Sequence, residues 1–260
     1  MTRRRLDQEL VRRGLFSTRS GAQRAIADGR VLIAGLPASR AATLVDEQAA
    51  LSLAREGPQW ASRGGTKLAA ALEAFSLDPA GRRCLDVGAS TGGFTDVLLA
   101  RGAALVAALD VGYGQLDWRL RSDARVEVFD RTNFRTADPS ALGAPFDLVT
   151  VDVSFISVRL LAVNLAACGR PDTDYVVLVK PQFEVGREQV GRGGLVTDPA
   201  RWAAAVDGVA QGLAAAGIGA LGVCASPIRG ATGNREFFLH GRHGAGSTVG
   251  QPSIQAVVSA

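Results

Sequence analysis

From residue 63 onward the chain alternates near-continuous apolar runs with amphipathic stretches, and this alternation restricts the fold more than any other feature. The apolar runs predict seven strands, at residues 84–88, 105–111, 126–130, 148–153, 175–180, 220–225 and 236–240. Helical spacing predicts helices at residues 65–75, 94–101, 158–167 and 199–216. Strands that are apolar on both faces must be covered on both faces, so the pattern predicts an α/β fold in which helices flank a mostly parallel sheet.

The segment before residue 63 differs in charge and in pattern. Residues 1–45 hold nine arginines against three acids, Asp7, Glu9 and Asp28, which is a net charge of +6 in a chain whose total is +4. Helical spacing at residues 6–13 and 19–28, followed by β-like runs at 31–34 and 50–53, predicts a small α+β unit. A basic unit joined to a near-neutral domain favours a partner with a phosphate backbone, and a solvated arginine-rich surface is the alternative interpretation.

These changes divide the chain into four segments. We predict a small α+β domain at residues 1–54, an interdomain linker at 55–62, an α/β domain at 63–243 and a flexible tail at 244–260, where Gly, Ser and Gln are frequent. The longest uncharged stretch, 212–225, is too short and too rich in glycine to span a bilayer, and the polar N-terminus does not resemble a signal peptide. We therefore expect a cytoplasmic protein without a membrane partner.

The three cysteines, Cys84, Cys168 and Cys224, lie in apolar runs without C-x-x-C spacing. This placement predicts small core residues, and we expect neither a disulfide nor a metal site.

A glycine-rich loop, DVGASTGG, follows the first predicted strand and opens a helix. Glycines in such a loop allow the backbone to approach a ligand closely. The spacing departs from G-x-G-x-x-G, which disfavours a dinucleotide-binding dehydrogenase. Asp110 and Asp130 end the next two predicted strands, and the carboxyl ends of parallel strands line one crevice. We expect Asp110 to bind ribose hydroxyls and Asp130 to lie on the adenine side.

Two of the 29 basic side chains are lysines, Lys67 and Lys180, and the other 27 are arginines. Arginine stays protonated in proteins, whereas a shielded lysine can lose its proton, so the lysines are the candidate acid–base groups, with chance survival as the alternative. Asp152 ends the fourth predicted strand and Glu236 begins the last. We expect Asp152 and Lys180 to meet at the crevice, and surface ion pairs are the alternative interpretation.

Several strings resemble known families. LDVGASTGGFTD resembles motif I of class I methyltransferases, with Ser90 in the place of a middle glycine, and GASTGGF is similar to the loop of FtsJ-like RNA 2′-O-methyltransferases. Lys67, Asp152, Lys180 and Glu236 follow the order of that family's Lys–Asp–Lys–Glu catalytic set. SRGGTKL, VDVSFIS, LVKPQFE and SPIRGATGNREFF resemble the TlyA (haemolysin A) family over nearly the whole chain, and residues 3–54 resemble the S4 RNA-binding domain.

The resemblance implies a Rossmann-like class I methyltransferase domain behind an S4-like domain, and a reaction at the ribose 2′-oxygen of cytidines in small- and large-subunit ribosomal RNA. It implies that S-adenosylmethionine is bound by Gly88, Ala89, Ser90, Thr91, Gly92, Gly93, Asp110 and Asp130. It implies RNA phosphate contacts from Arg4, Arg12, Arg13, Arg19 and Arg24. Lys180, aided by burial and by Lys67, would accept the hydroxyl proton, while Asp152 and Glu236 align the groups.

Other activities fit the residues less well. Cytosine-C5 methylation needs a cysteine in the crevice, and amino-group methylation usually follows D/N-P-P-Y/F, where this chain has Asp152-Val153-Ser154-Phe155. A non-catalytic ribosome-assembly factor and a haemolysin are the alternatives from other classes, and the chain has no amphipathic membrane helix to favour the haemolysin.

Overall fold

A computed structural model describes residues 3–27, 29–38, 40–53 and 60–260. The chain divides into two units, Met1–Pro58 and Gln59–Ala260. Of the predicted linker at 55–62, residues 55–59 lie outside the described residues, as does Asp28 at the end of the second predicted helix.

The described part of the N-terminal unit contains two helices and five short strands. These are β1 (Arg4–Arg5), α1 (Leu6–Arg12), α2 (Arg19–Ala27), β2 (Val31–Ile33), β3 (Leu36–Pro37), β4 (Leu44–Val45) and β5 (Leu51–Leu53). β1 pairs with β4, and β2 lies between β3 and β5, all antiparallel. Leu6 and Leu10 of α1 and Ala22, Ala25 and Ile26 of α2 belong to one buried cluster, so the predicted helices supply most of the core of this unit.

The second unit, described without a gap from residue 60, consists of alternating helices and strands. They are α3 (Arg63–Ala74), β6 (Arg83–Val87), α4 (Gly93–Ala100), β7 (Leu105–Leu109), α5 (Trp118–Arg121), β8 (Val126–Phe129), β9 (Leu148–Val151), α6 (Ala162–Ala167), β10 (Asp174–Val179), α7 (Pro181–Glu184), α8 (Pro199–Ala215), β11 (Ile218–Ala225), β12 (Phe237–His243) and α9 (Gln251–Ser259). The predicted helix at 158–167 is a 3₁₀ turn, Val158–Leu161, followed by α6.

Residues 60–260 form one seven-stranded sheet in the order β11-β12-β10-β9-β6-β7-β8. The five strands from β10 to β8 are parallel, and β12 and β11 join antiparallel at one edge. The predicted α/β fold with a mostly parallel sheet is confirmed.

Alternate strand residues enter two separate apolar cores, one on each face of the sheet. Leu85 and Val87 of β6 lie in the core that includes α8, whereas Cys84 lies in the core formed with α3 and α4. β9 divides in the same way, with Val149 on one side and Leu148 on the other. Burial on both faces explains why these strands are largely apolar, with Asp86 of β6 and Thr150 of β9 as buried polar exceptions.

The prediction of a flexible tail at 244–260 is wrong for its last part. Residues 251–259 form α9, whose Ile254 and Val258 lie one turn apart and are fully buried in the core that includes α8. The amides of Thr248 and Val249 donate to the carbonyl of Ala220, at 2.8 and 3.1 Å, and so cover the edge strand β11. No clear sequence signal marks this helix, because only two of its residues are fully buried and because its packing partner, α8, is distant in sequence.

Across the described ranges, every helix falls short of the length and apolar character that a membrane crossing needs.

Replacing Ile254 with Ala should lower the free energy of unfolding by about 2–4 kcal/mol, because a fully buried side chain leaves a cavity between α9 and the sheet. Gln255→Ala, on the exposed face of α9, should change it by less than about 0.5 kcal/mol. Denaturant unfolding of both variants measures the difference. Equal small effects would show that α9 adds nothing to the core.

Candidate active site

Four strands of the sheet end or begin on the same side, at the carboxyl ends of the parallel strands; we call this side the carboxyl edge. β6, β9 and β10 run parallel, so the residues that follow them, Gly88, Asp152 and Lys180, lie at their carboxyl ends. β12 runs the opposite way, and its first residue pairs with the last residue of β10. Glu236, which directly precedes β12, therefore reaches the same edge. The three predicted catalytic residues at strand ends and the glycine loop are brought to this crevice, and Lys67, the fourth predicted catalytic residue, joins them from α3.

The glycine loop is in close contact with the end of β9. Gly88 has φ +86°, and a Cβ atom at this position would overlap the carbonyl oxygen of Asp152. The amide of Asp152 donates to the carbonyl of Val87 at 2.9 Å. Ser90 has φ +48°, in the left-handed region that favours glycine, which agrees with its place at a glycine position of motif I.

Two adjacent cavities lie over this loop, with volumes of about 370 and 500 Å³. Gly88, Ser90 and Asp152 line both cavities, and Lys67 lines the smaller one. Both volumes are in the range of small-molecule binding sites. Of the predicted cofactor-binding residues, those on the smaller cavity are Gly88, Ala89, Ser90, Thr91 and Gly93, and those on the larger cavity are Gly88, Ser90 and Asp110.

The other two predicted cofactor residues lie elsewhere. Gly92 has φ +97°, precedes α4 and packs against Leu116 and Leu120. Asp130 pairs with Arg121 at 2.8 Å, and this guanidinium holds the pKa of Asp130 below its usual value. In the stretch 60–260 neither residue lines the two cavities.

Asp110 shapes the loop as well as the cavity. Its carboxylate accepts from the amide of Ser90 at 2.9 Å and from the amide of Gly112 at 2.7 Å. The carboxylate therefore fastens the glycine loop to the end of β7. Binding of ribose hydroxyls by Asp110 stays a prediction.

The four predicted catalytic residues form two lysine–carboxylate pairs. Lys67 Nζ donates to Glu236 Oε2 at 2.5 Å, and both side chains are buried. Lys180 Nζ lies 2.5 Å from Asp152 Oδ1 in an ion pair without hydrogen-bond alignment, and it donates to Ser154 Oγ at 3.0 Å. Each lysine side chain is 10% exposed, so both ammonium groups are shielded from solvent. Lys67 lines the smaller cavity, and Lys180 contacts Asp152, which lines both cavities.

A third carboxylate, Asp86, lies fully buried in β6 just before the glycine loop. It accepts hydrogen bonds from the hydroxyls of Thr95 at 2.7 Å and Thr150 at 3.2 Å. Burial raises the pKa of Asp86 to about 7, against the opposing effect of these two hydroxyl groups.

Sequence reasoning missed two polar residues at this edge. Ser154 accepts from Lys180, and its only signal is its position two residues after Asp152. Glu184 accepts from Ser157 Oγ at 2.6 Å and from the amide of Val158 at 2.8 Å, and burial raises its pKa. Glu184 ends the LVKPQFE string, where a buried acid cannot be told from a surface one without the fold.

In the N-terminal unit, arginines neutralise two fully buried acids of α1. Glu9 pairs with Arg12 at 2.7 Å and Arg13 at 2.8 Å, and the Arg12 guanidinium, followed by that of Arg13, lowers the pKa of Glu9 to about 2. Asp7 pairs with Arg19 at 2.8 Å. Arg13 also donates to three carbonyl groups between residues 46 and 49, so it helps to build the fold.

The predicted phosphate contacts differ in how much of each side chain faces outward. Arg4, Arg12 and Arg19 have side chains that are 46%, 44% and 50% exposed, whereas Arg13 is 22% exposed. Arg24 lies on the exposed face of α2. Arg4, Arg12, Arg19 and Arg24 thus remain candidates to meet a polyanion.

Comparison with known proteins relates both units to families. An FtsJ-like methyltransferase model matches residues 60–243, and an S4 domain model matches residues 4–51. The chain is 53% identical over 238 residues to the 16S/23S rRNA (cytidine-2′-O)-methyltransferase TlyA of Mycobacterium tuberculosis, covering 91% of this chain and 89% of the relative. It is 34% identical over 237 residues to Hemolysin A of Brachyspira hyodysenteriae, covering 91% of this chain and 98% of that one.

Solved structures of similar proteins share the fold of this chain. One from Streptococcus thermophilus that carries a hemolysin name is 38% identical, with a TM-score of 0.78 over 100% of this chain and 95% of that chain. The N-methyltransferase NodS of Bradyrhizobium japonicum is 14% identical, with a TM-score of 0.50 over 70% of this chain and 95% of that one, and it shows the fold alone.

Gly88→Ala should lower the free energy of unfolding by about 3 kcal/mol or more, because the methyl group combines an unfavourable φ with overlap on the Asp152 carbonyl. Gly114→Ala is the matched control: Gly114 has φ +65°, but a Cβ atom there meets no atom within 4 Å. The control should cost about 1–2 kcal/mol. Equal losses in denaturant unfolding would show that the close approach of β6 and β9 is unimportant.

Asp86→Asn should change how stability depends on pH. The folded pKa of about 7 lies above the ordinary value of 3.8, so the folded state binds more protons between these values, and this group's contribution to stability falls as pH rises from about 4 to 7. The variant lacks this loss, so its stability relative to the unsubstituted chain should increase between pH 5 and pH 8, by about 2–3 kcal/mol. Urea unfolding at both pH values measures it, and a difference independent of pH would contradict the raised pKa.

Proposed function

The chain belongs to the FtsJ-like methyltransferase family, in its TlyA group, and we propose that it transfers the methyl group of S-adenosylmethionine to the ribose 2′-oxygen of cytidines in 16S and 23S ribosomal RNA. The observation that carries this proposal is the pair of shielded lysine–carboxylate contacts beside the glycine loop. Its substrates would be ribosomal subunits or their RNA, in the cytoplasm.

The larger cavity fits the nucleoside part of the cofactor. Leu109, Phe134 and Ile156 supply apolar walls for a flat base, and Asp110 and Asn133 add polar groups. Gly88 of the glycine loop lines this cavity, and a residue without a side chain allows a ligand to approach the backbone closely. When bound, S-adenosylmethionine supplies an electrophilic methyl group and a sulfur that becomes neutral on transfer.

The lysine–carboxylate pairs suit attack by a hydroxyl group. A ribose hydroxyl is a weak acid and needs a proton acceptor as its oxygen forms the new bond to carbon. We assign this acceptor role to Lys180, after its own proton has passed to solvent. Asp152 and Ser154 hold its Nζ in place, and Lys67, paired with Glu236, lines the smaller cavity together with Asp152. The hydroxyl proton goes to Lys180, the oxygen–methyl bond forms and the sulfur–methyl bond breaks.

The cysteines favour transfer to oxygen over transfer to a base carbon. Cys84 and Cys168 are fully buried in the apolar cores, and in the stretch 60–260 no cysteine lines either cavity. A nucleophilic cysteine for cytosine-C5 chemistry is therefore missing from this crevice.

The N-terminal unit supplies the RNA-binding surface in this proposal. Its S4 match covers the two arginine-bearing helices, and Arg4, Arg12, Arg19 and Arg24 would contact phosphates. Such contacts position an RNA without reading its sequence, and they weaken as salt increases. Arg13 supports them indirectly through Glu9 and the carbonyl groups it binds.

Lys180→Met should abolish methylation, and Lys180→Arg should reduce it at least about 100-fold, because arginine keeps the charge but cannot accept the proton. The measurement maps 2′-O-methyl groups on ribosomal RNA from cells that lack the chain and are complemented with each variant. Arg170→Met is the matched control, since Arg170 precedes β10 at the opposite edge of the sheet, and it should methylate normally.

Identical maps with and without the chain would reject the proposed function and favour an assembly role. Full methylation by Lys180→Arg would reject only the role of the lysine as proton acceptor.

A further inference from the structure

The segments that follow β9 and β10 touch each other at three successive places. Lys180 contacts Asp152 and Ser154, as described above. The rings of Phe183 and Phe155 lie 5.1 Å apart between centroids. The Glu184 carboxylate, one residue further along, binds Ser157 and the amide of Val158. We call residues 152–158 the β9 loop; it is bound along its length by residues 180–184.

The β9 loop needs this support because its backbone is strained. Phe155 has φ +65°, in a region that side chains with a Cβ atom rarely adopt, and it is 91% exposed. Strained backbone persists only where the surrounding structure holds it. In the described part of the chain, the exposed ring has a single ring neighbour, Phe183, so the contacts on either side of Phe155 must supply most of the hold.

Glu184 makes several of these contacts at once. It is buried, and a buried carboxylate is tolerated only when its oxygens are hydrogen-bonded. One oxygen accepts from the Ser157 hydroxyl and the other from the Val158 amide. Arg159 Nε lies 3.5 Å from the carboxylate, and Arg159 also donates to the Glu184 carbonyl at 3.1 Å. Both oxygens of Glu184 are therefore directed at the end of the β9 loop.

We propose that Glu184 is a positioning residue that holds the β9 loop against α7 and thereby keeps Asp152 and Ser154 facing Lys180. The proposal rests on the proposed function, in which Lys180 receives the hydroxyl proton. Asp152 and Lys180 follow different strands, so their alignment depends on the loops that come after them. Glu184 links those loops without touching the reacting atoms.

Glu184→Ala should lower kcat for methylation of ribosomal subunits about 10- to 100-fold, since small misplacements of catalytic groups have effects of this size. The KM values for S-adenosylmethionine and for the subunits should change less than about threefold, because neither cavity is lined by Glu184. Glu184→Gln can still accept from the Val158 amide and meet the Ser157 hydroxyl, so it should restore kcat to within about threefold of the unsubstituted chain. Ser157→Ala should also lower kcat. The double variant Ser157→Ala/Glu184→Ala should have nearly the same kcat as Glu184→Ala alone, because both substitutions remove the same contact.

A second measurement, amide hydrogen exchange at residues 153–158, does not depend on catalysis. Exchange there should be faster in Glu184→Ala than in Ile254→Ala, which removes a buried side chain from α9 and serves as the control for general destabilisation. Equal kcat losses in Glu184→Ala and Ile254→Ala, or failure of Gln to restore kcat, would overturn the proposal. If the unsubstituted chain transfers no methyl group, the proposed function fails, and the exchange rates still decide whether Glu184 holds the loop. If Glu184→Ala does not fold, the kcat values of Glu184→Gln and Ser157→Ala decide the outcome.

Discussion

Backbone pairing among β6, β9, β10 and β12 brings the glycine loop and three of the four proposed catalytic residues to one edge of the sheet. The pairing is close enough that the first residue after β6 has to be a glycine, since Gly88 lies against the Asp152 carbonyl. Because β12 runs antiparallel to β10, its first residues reach the edge at which the parallel strands end. Glu236 therefore meets Lys67 of α3, although 169 positions separate them in sequence.

In both units, buried charged side chains lie beside side chains of the opposite charge. Lys67 and Lys180 lie beside carboxylates, and Asp7 and Glu9 lie beside arginines. At the opposite end of β10, Asp174 is surrounded by Arg82, Arg242 and His240. Among the buried acids of the described residues, Asp86 differs because it forms no ion pair, and its side-chain hydrogen-bond donors are the hydroxyl groups of two threonines. Burial without a cation explains why the pKa of Asp86 is raised while that of Asp174 is lowered to about 2.

Most of the fold was predictable because it depends on patterns that repeat along the chain. Strands buried on both faces are rich in apolar residues, and the strand predictions for the second unit overlap those of the structure. α9 was not predictable, since Ile254 and Val258 form a stripe too short to stand out without α8. Arg13 and Arg19 illustrate a similar limit. The density of arginines in the N-terminal unit indicated a polyanionic partner, but these two arginines pair with buried acids of α1. The burial of those acids depends on how α1 packs, which the sequence pattern does not show.

The sequence by itself determined the fold class and the position of the glycine loop, because local spacing carries that information. The rarity of lysine, the strand ends and the family resemblance also singled out two lysines and two acids as candidate catalytic residues. Only the tertiary structure decided which lysine pairs with which acid. It also showed that Ser154 and Glu184 belong to the same edge and that Gly92 serves packing. These facts depend on strand order and register, which bring together residues far apart in the chain and which no local pattern encodes.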